Sequence, residues 1–117
     1  GIDYTLVDFW ASWCKPCRQE TPTIKYALQK YPNNFAVYAV SLDDKRAAWQ
    51  RAINEDSTQM FKHLIGTYPN GQRSRLLRQL NIEIIPTNFL IDNNQRIIAK
   101  DLHGERLIQV LDSLIQK

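Results

Sequence analysis

The chain has 117 residues, 44% of them hydrophobic and 23% charged, with four glycines and five prolines. That composition favours one folded domain around one core, excludes a disordered chain, and leaves neither cysteine necessary as a staple. The formal net charge of +3 arises from acids and bases interleaved along the chain; the densest basic run, Arg73, Arg75 and Arg78, reads as a solvated helix face, so no nucleic acid partner is expected.

Residues Tyr4 to Trp10 (YTLVDFW) read as a mostly apolar strand of the kind buried on both faces. A helix follows with Pro16 in its first turn, where a missing N–H costs nothing. Its apolar face is Ile24, Ala27, Leu28 and Tyr31, Pro22 is expected to kink it, and Pro32-Asn33-Asn34 ends it. Phe35 to Leu42 is a second, β-branched strand. Asp43 reads as the N-cap of a helix running to about Asn54, with Ala48, Trp49, Ala52 and Ile53 as its buried stripe. Met60 to Ile65 is a short strand, Tyr68 to Gly71 a turn, and Ser74 to Leu80 a short helix. Thr87 to Ile91 and Arg96 to Lys100 form a hairpin around Asp92-Asn93-Asn94-Gln95, and Gly104 to Gln116 has the apolar spacing of an amphipathic helix.

The order β-α-β-α-(insert)-α-β-β-α predicts an α/β fold. The first two strands are joined through a helix and therefore run parallel with a right-handed crossover; the hairpin adds an antiparallel pair. The expected architecture is a mixed central sheet with helices on both faces. No stretch is long and apolar enough to span a membrane, and the opening Gly1-Ile2-Asp3 has no signal-peptide character. The absence of an initiator Met suggests a trimmed or processed product, with any export signal or anchor upstream.

The two cysteines stand three positions apart in Trp13-Cys14-Lys15-Pro16-Cys17. Cys14 falls where a buried strand gives way to a helix, so its sulfur lies beside the unpaired N–H groups of the first turn. Those groups and the Lys15 charge favour a thiolate. Cys17, one turn deeper, reads as a shielded resolving thiol behind an exposed attacking one. Closing the pair requires a base for the Cys17 proton, and two carboxylates are placed for it: Asp8 on the preceding strand and Glu20 on the helix. The blander readings are half a zinc site, an inert staple, and surface roles for the two acids. Zinc lacks its second ligand pair, since His63 and His103 are far apart and unpaired, so no metal and no cofactor are expected.

Val7 to Cys17 (VDFWASWCKPC) strongly resembles the active-site segment of thioredoxin-like proteins, and Ile84 to Asp92 (IIPTNFLID) resembles the segment that carries their cis-proline. The resemblance implies a thioredoxin fold, a cis peptide at Pro86 facing the Cys14 sulfur, and an Ile85 backbone that pairs with an extended substrate. Trp13, Lys15, Pro16, Ile85 and Pro86 then form the substrate groove, with Trp13 packed beside the disulfide. The roughly thirty residues from about Asp43 to Gln72, the Ser41-Leu-Asp-Asp44 opening, the Phe89-Leu-Ile-Asp92 hairpin and Glu20 narrow the likeness to the TlpA/ResA-like branch, related to the AhpC/TSA group. Such proteins are typically exported and anchored to a bacterial membrane, which implies a periplasmic or envelope location, although two cysteines in one site suit the cytoplasm equally. Family members begin with a further strand or hairpin that this sequence lacks, so residues 1–117 are read as one domain whose sheet has an exposed edge.

The resulting expectation is a monomeric protein-disulfide reductase with Cys14 as nucleophile, Cys17 as resolver, and Asp8 and Glu20 as candidate proton acceptors. Its partners are a disulfide-containing protein substrate and an upstream thiol reductant protein. A peroxiredoxin-like peroxidase is the competing enzyme, and a redox-inert peptide-binding module the competing non-enzyme.

Overall fold

The computed structural model describes residues 1–116. Its elements in chain order are β1 (Tyr4–Trp10), α1 (Lys15–Gln19), α2 (Thr21–Lys30), β2 (Phe35–Ser41), α3 (Arg46–Asp56), β3 (Lys62–Ile65), α4 (Arg75–Gln79), β4 (Thr87–Asp92), β5 (Ile97–Lys100) and α5 (Glu105–Ile115). The sheet runs β3-β2-β1-β4-β5. β1, β2 and β3 are mutually parallel, and β4 and β5 are antiparallel additions. This is the expected mixed α/β sheet.

β1 stands at the centre, and its sequence explains why. Leu6 and Phe9 are fully buried and Trp10 nearly so, so the strand has apolar side chains on both faces. Its neighbour β2 buries Phe35, Val37 and Ala39. Helix α5 lays Leu107 and Leu111 on the core and is pinned to α2 through Asp112, which accepts hydrogen bonds from Lys30 and Tyr31. Gly104 sits just before α5 at φ +59°, a left-handed backbone that glycine adopts without a Cβ clash.

Two expectations need correction. The proline kink is a break: α1 ends at Gln19, and α2 restarts with Pro22 in its first turn, where it displaces no helical N–H. Asp43 does not cap α3. Lys45 occupies that position without a side-chain bond, while Asp43 is turned inward and 2% exposed. Inward, its carboxylate reaches three donors, where a cap would offer it one or two. The sheet remains open, with β3 and β5 as its edge strands. The 43–72 segment supplies both α3 and β3, and β3 pairs along the outer side of β2 from Tyr38 to Ser41.

Candidate active site

β1 delivers its chain to one end of the sheet, and Ala11 to Trp13 turn there into α1. Cys14 is the N-cap of α1; its Sγ accepts the Cys17 backbone N–H at 3.2 Å. That amide is one of the orphan donors of a helix start, so the sulfur occupies the position where negative charge is best supported. Cys14 and Cys17 are bonded, S–S 2.10 Å. Sequence reasoning expected an exposed Cys14 and a buried Cys17, but the two are 5% and 4% exposed. In the bonded pair the Cys14 sulfur lies on the helix end, and Trp13, at 67% exposure, projects instead. Lys15 and Pro16 are exposed on the same turn.

The loop before Cys14 is held by a residue that sequence reasoning assigned elsewhere. The Asp43 carboxylate accepts from the Ser12 backbone N–H (2.9 Å), the Ser12 hydroxyl (2.5 Å) and the Ser41 hydroxyl (2.6 Å). Arg18 adds a second tie. Its guanidinium donates to the Ser12 carbonyl and forms a two-point pair with Asp56 at the end of α3, with Glu55 alongside. The hydrogen bonds and charges of Asp56 and Glu55 hold that guanidinium firmly protonated, against the cost of its partial burial. The 43–72 segment therefore braces the cysteine-bearing turn from two sides.

Asp8 lies in the middle of β1, in register with Ala39 of β2 and Asn88 of β4, and is 7% exposed. Burial, reinforced by the nearby Glu20 charge, pushes its carboxyl from 3.8 up to about 8. Asp8 and Cys17 line the same small internal cavity, together with Trp10, Thr58, His63 and Asp56. Glu20, at the α1–α2 junction, has its carboxylate 2.8 Å from His103 Nδ1. Asp101 lies 3.8 Å from the other nitrogen of His103.

The second wall comes from the segment before β4. The Ile85–Pro86 peptide is cis. Thr87, the next residue, pairs with Phe9, so Pro86 stands at the end of the sheet where β1 releases the cysteine turn. Ile84 is 79% exposed, while Ile85 and Pro86 are half-buried. Among the described residues, no group of His, Cys, Asp and Glu forms a metal cluster, and no helix is long and apolar enough to cross a membrane.

Of the residues named from the sequence, the structure brings Asp8 and Cys17 to one cavity and turns Glu20 to His103; the contacts of Asp43, Arg18, His63 and His103 were not anticipated. A signal existed for Asp43: Ser41 and Asp43 are two apart at the end of β2, the spacing that puts both on one side. For His103, which meets a residue 83 positions away, there was none.

A family model described as thioredoxin-like matches residues 1–97. The chain is 34% identical to the "Thiol:disulfide interchange protein DsbE homolog" of Paracoccus denitrificans over 81% of this chain and 48% of that protein. It is 26% identical to the "Thiol-disulfide oxidoreductase ResA" of Bacillus cereus, covering 96% of this chain and 61% of that one. It thus spans about half to three fifths of the length of these relatives. Among solved structures, a thiol-disulfide oxidoreductase from Bacteroides fragilis superposes with a TM-score of 0.83 at 34% identity, over 97% of this chain and 82% of that one.

Proposed function

Since the chain belongs to the thioredoxin-like family, we propose that it reduces protein disulfides by dithiol exchange through Cys14 and Cys17. The observation that carries this reading is the Cys14 sulfur seated on the Cys17 amide in the first turn of α1, with its partner cysteine and a buried carboxyl sharing one cavity behind it.

In the reduced form the Cys14 thiolate attacks a substrate sulfur. One S–S bond forms between protein and substrate, the substrate's own S–S bond breaks, and the departing thiolate takes a proton from water. Cys17 then gives its proton to the Asp8 carboxylate and attacks Cys14 Sγ, which closes the protein disulfide and expels the second substrate sulfur as a thiolate that takes a proton from water. Two electrons pass from the dithiol to the substrate, and a dithiol protein upstream restores them. Asp8 is the acceptor because it shares a cavity with Cys17 and its affinity for a proton is raised into the working range. Glu20 acts on Asp8 at a distance: its charge makes the Asp8 proton harder to lose.

Trp13, Lys15, Pro16, Ile85 and Pro86 form the substrate groove in this reading. Among the described residues, the Ile85 backbone makes no hydrogen bond, which leaves it free to pair with an extended peptide. The location outside the bacterial cytoplasmic membrane, and anchoring by a segment beyond this chain, rest on the likeness to the TlpA/ResA-like branch. Residues 1–117 act as one domain and as a monomer.

The deciding experiment is a titration of the pair in glutathione or dithiothreitol buffers, read by the mass added on alkylation of free thiols. A midpoint at about −270 mV or below is expected, as for a reductase; one near −120 mV would reassign the protein to disulfide formation.

A further inference from the structure

His63 lies outside the machinery described so far, yet three observations place it within reach of Asp8. The first is register. Asp8 pairs with Ala39, and Ala39 pairs with His63, so the three side chains form one row across β1, β2 and β3 on the same face of the sheet. Only the methyl of Ala39 stands between the acid and the imidazole. The second is enclosure. Asp8, Cys17 and His63 line the same internal cavity, in which about 10 Å3 is open to the centre of a water, room for one molecule.

The third is an imbalance of polar atoms. His63 Nε2 lies 2.8 Å from the Thr58 carbonyl, which can only accept, so Nε2 carries the hydrogen. Burial lowers the imidazole's affinity for a second proton, and Nδ1 is then a bare acceptor. That Nδ1 is buried without a partner, and so is the Trp10 indole N–H, whose ring is 6.0 Å from the imidazole. One buried acceptor and one buried donor on the same small cavity match the two faces of a single water, which retains a second hydrogen for the Asp8 carboxyl.

We propose that His63 is a positioning residue for the Cys17 proton transfer: its Nδ1 and the Trp10 N–H hold one water against Asp8, and the proton leaves along that water. The proposal rests on the reading of Asp8 as proton acceptor. The Cys17 S–H bond breaks as the Asp8 O–H bond forms; Asp8 then passes that proton through the water toward Thr21 and Asp56, and the Cys17 sulfur attacks Cys14. Thr21 and Asp56 line both the internal cavity and the open groove beside Lys25, so the route ends at solvent there. The ionisable groups around the cavity are Asp8 of β1, Cys17 of α1 and Asp56 of α3. Arg18 neutralises Asp56, Glu20 acts on Asp8, and Arg46 stands over the neighbouring Trp49 ring.

The test is stopped-flow reaction of the reduced protein with Ellman's reagent, in which Cys14 releases the first thionitrobenzoate and Cys17 the second. His63→Phe, which suits the aromatic surroundings of Trp10, Trp49 and Phe61, leaves the first phase unchanged, slows the second about tenfold and shifts its pH midpoint. His63→Asn, which keeps an acceptor near the Nδ1 position, recovers the second phase to within about threefold. Two unchanged phases in His63→Phe overturn the proposal while Asp8→Asn still slows the second; an unchanged second phase in Asp8→Asn overturns the acceptor reading and this proposal with it. Nitrogen-15 NMR of the unsubstituted protein tests the same arrangement without a variant. A neutral Nε2–H imidazole whose Nδ1 contacts a long-lived water is expected at neutral pH, and an Nδ1–H tautomer or an imidazolium overturns it.

Discussion

The two walls of the site are built in opposite ways. The cysteine wall, from Ala11 to Cys17, is tied from below: Asp43 grips Ser12 at its backbone and hydroxyl, Arg18 holds the Ser12 carbonyl, and Cys14 itself caps α1. The proline wall is almost untied. Arg73 donates to the Ile82 carbonyl at its start, but among the described residues no hydrogen bond involves residues 83–85. Chemistry at sulfur tolerates little error in position, so its wall is preorganised by charge-assisted bonds. A surface that must pair with the backbones of different partners gains from leaving its own N–H and C=O groups free, and there the fold relies on the locked Pro86 and the neighbouring strand.

The sharpest way to break this contrast is to disable the chemistry behind the tied wall and leave its shape alone. Asp8→Asn is expected to slow the resolving step about 100-fold, roughly the contribution of a positioned base, measured as the second phase of thiol release. In the unsubstituted protein that step should accelerate with rising pH until Asp8 is ionised, near about 8. The same substitution should stabilise the fold, and the sign follows from linkage. Asp8 binds its proton more tightly folded than unfolded, so its presence costs nothing below pH 3.8 and increasingly more up to about 8. The gain from Asp8→Asn therefore grows by about 1.4 kcal/mol per pH unit across that window, read from urea unfolding at several pH values.

Asp43→Ala attacks the ties themselves. It leaves the Ser12 N–H and the Ser12 and Ser41 hydroxyls without their acceptor, and a loss of about 2 kcal/mol is expected, together with a slower first phase as Cys14 loses its fixed approach. A variant of full stability would show that the wall stands without its anchor. Ile84→Ser, on the untied wall, is the mildest. Its side chain is largely in solvent, so stability should shift by less than about 0.5 kcal/mol, while KM for a protein disulfide rises severalfold with kcat unchanged. A large loss of stability there would mean that the proline wall is built like the other.

The same contrast decides what could be read from the sequence. The central strand and the cysteine turn were legible because each is a local pattern, an apolar run and a strand-to-helix switch, and the proline segment was legible through its resemblance to the family's. The ties were not, because they join positions far apart. An aspartate ahead of a helical stretch reads as a cap, and only the fold brings Asp43 to Ser12, 31 residues earlier. His103 meets Glu20 across 83 positions, and His63 reaches the cavity only because β3 adds itself to the sheet. The strand from Met60 to Ile65 was legible but its place was not: four residues with alternating burial carry too little pattern to announce that they lie beside β2.

The depths of the two tryptophans flanking the turn carry one more consequence. Trp10 is 6% exposed and lines the inner cavity, whereas Trp13 is 67% exposed beside Cys14. Two of the molecule's three tryptophans thus report on this site from different depths, three positions apart in the sequence, while Trp49 stands on α3. Light emitted from the outer indole registers the arrival of a partner, and light from the inner one registers what happens to charge and sulfur behind it. Recognition and electron transfer, which a single rate would merge, are written in two separate colours.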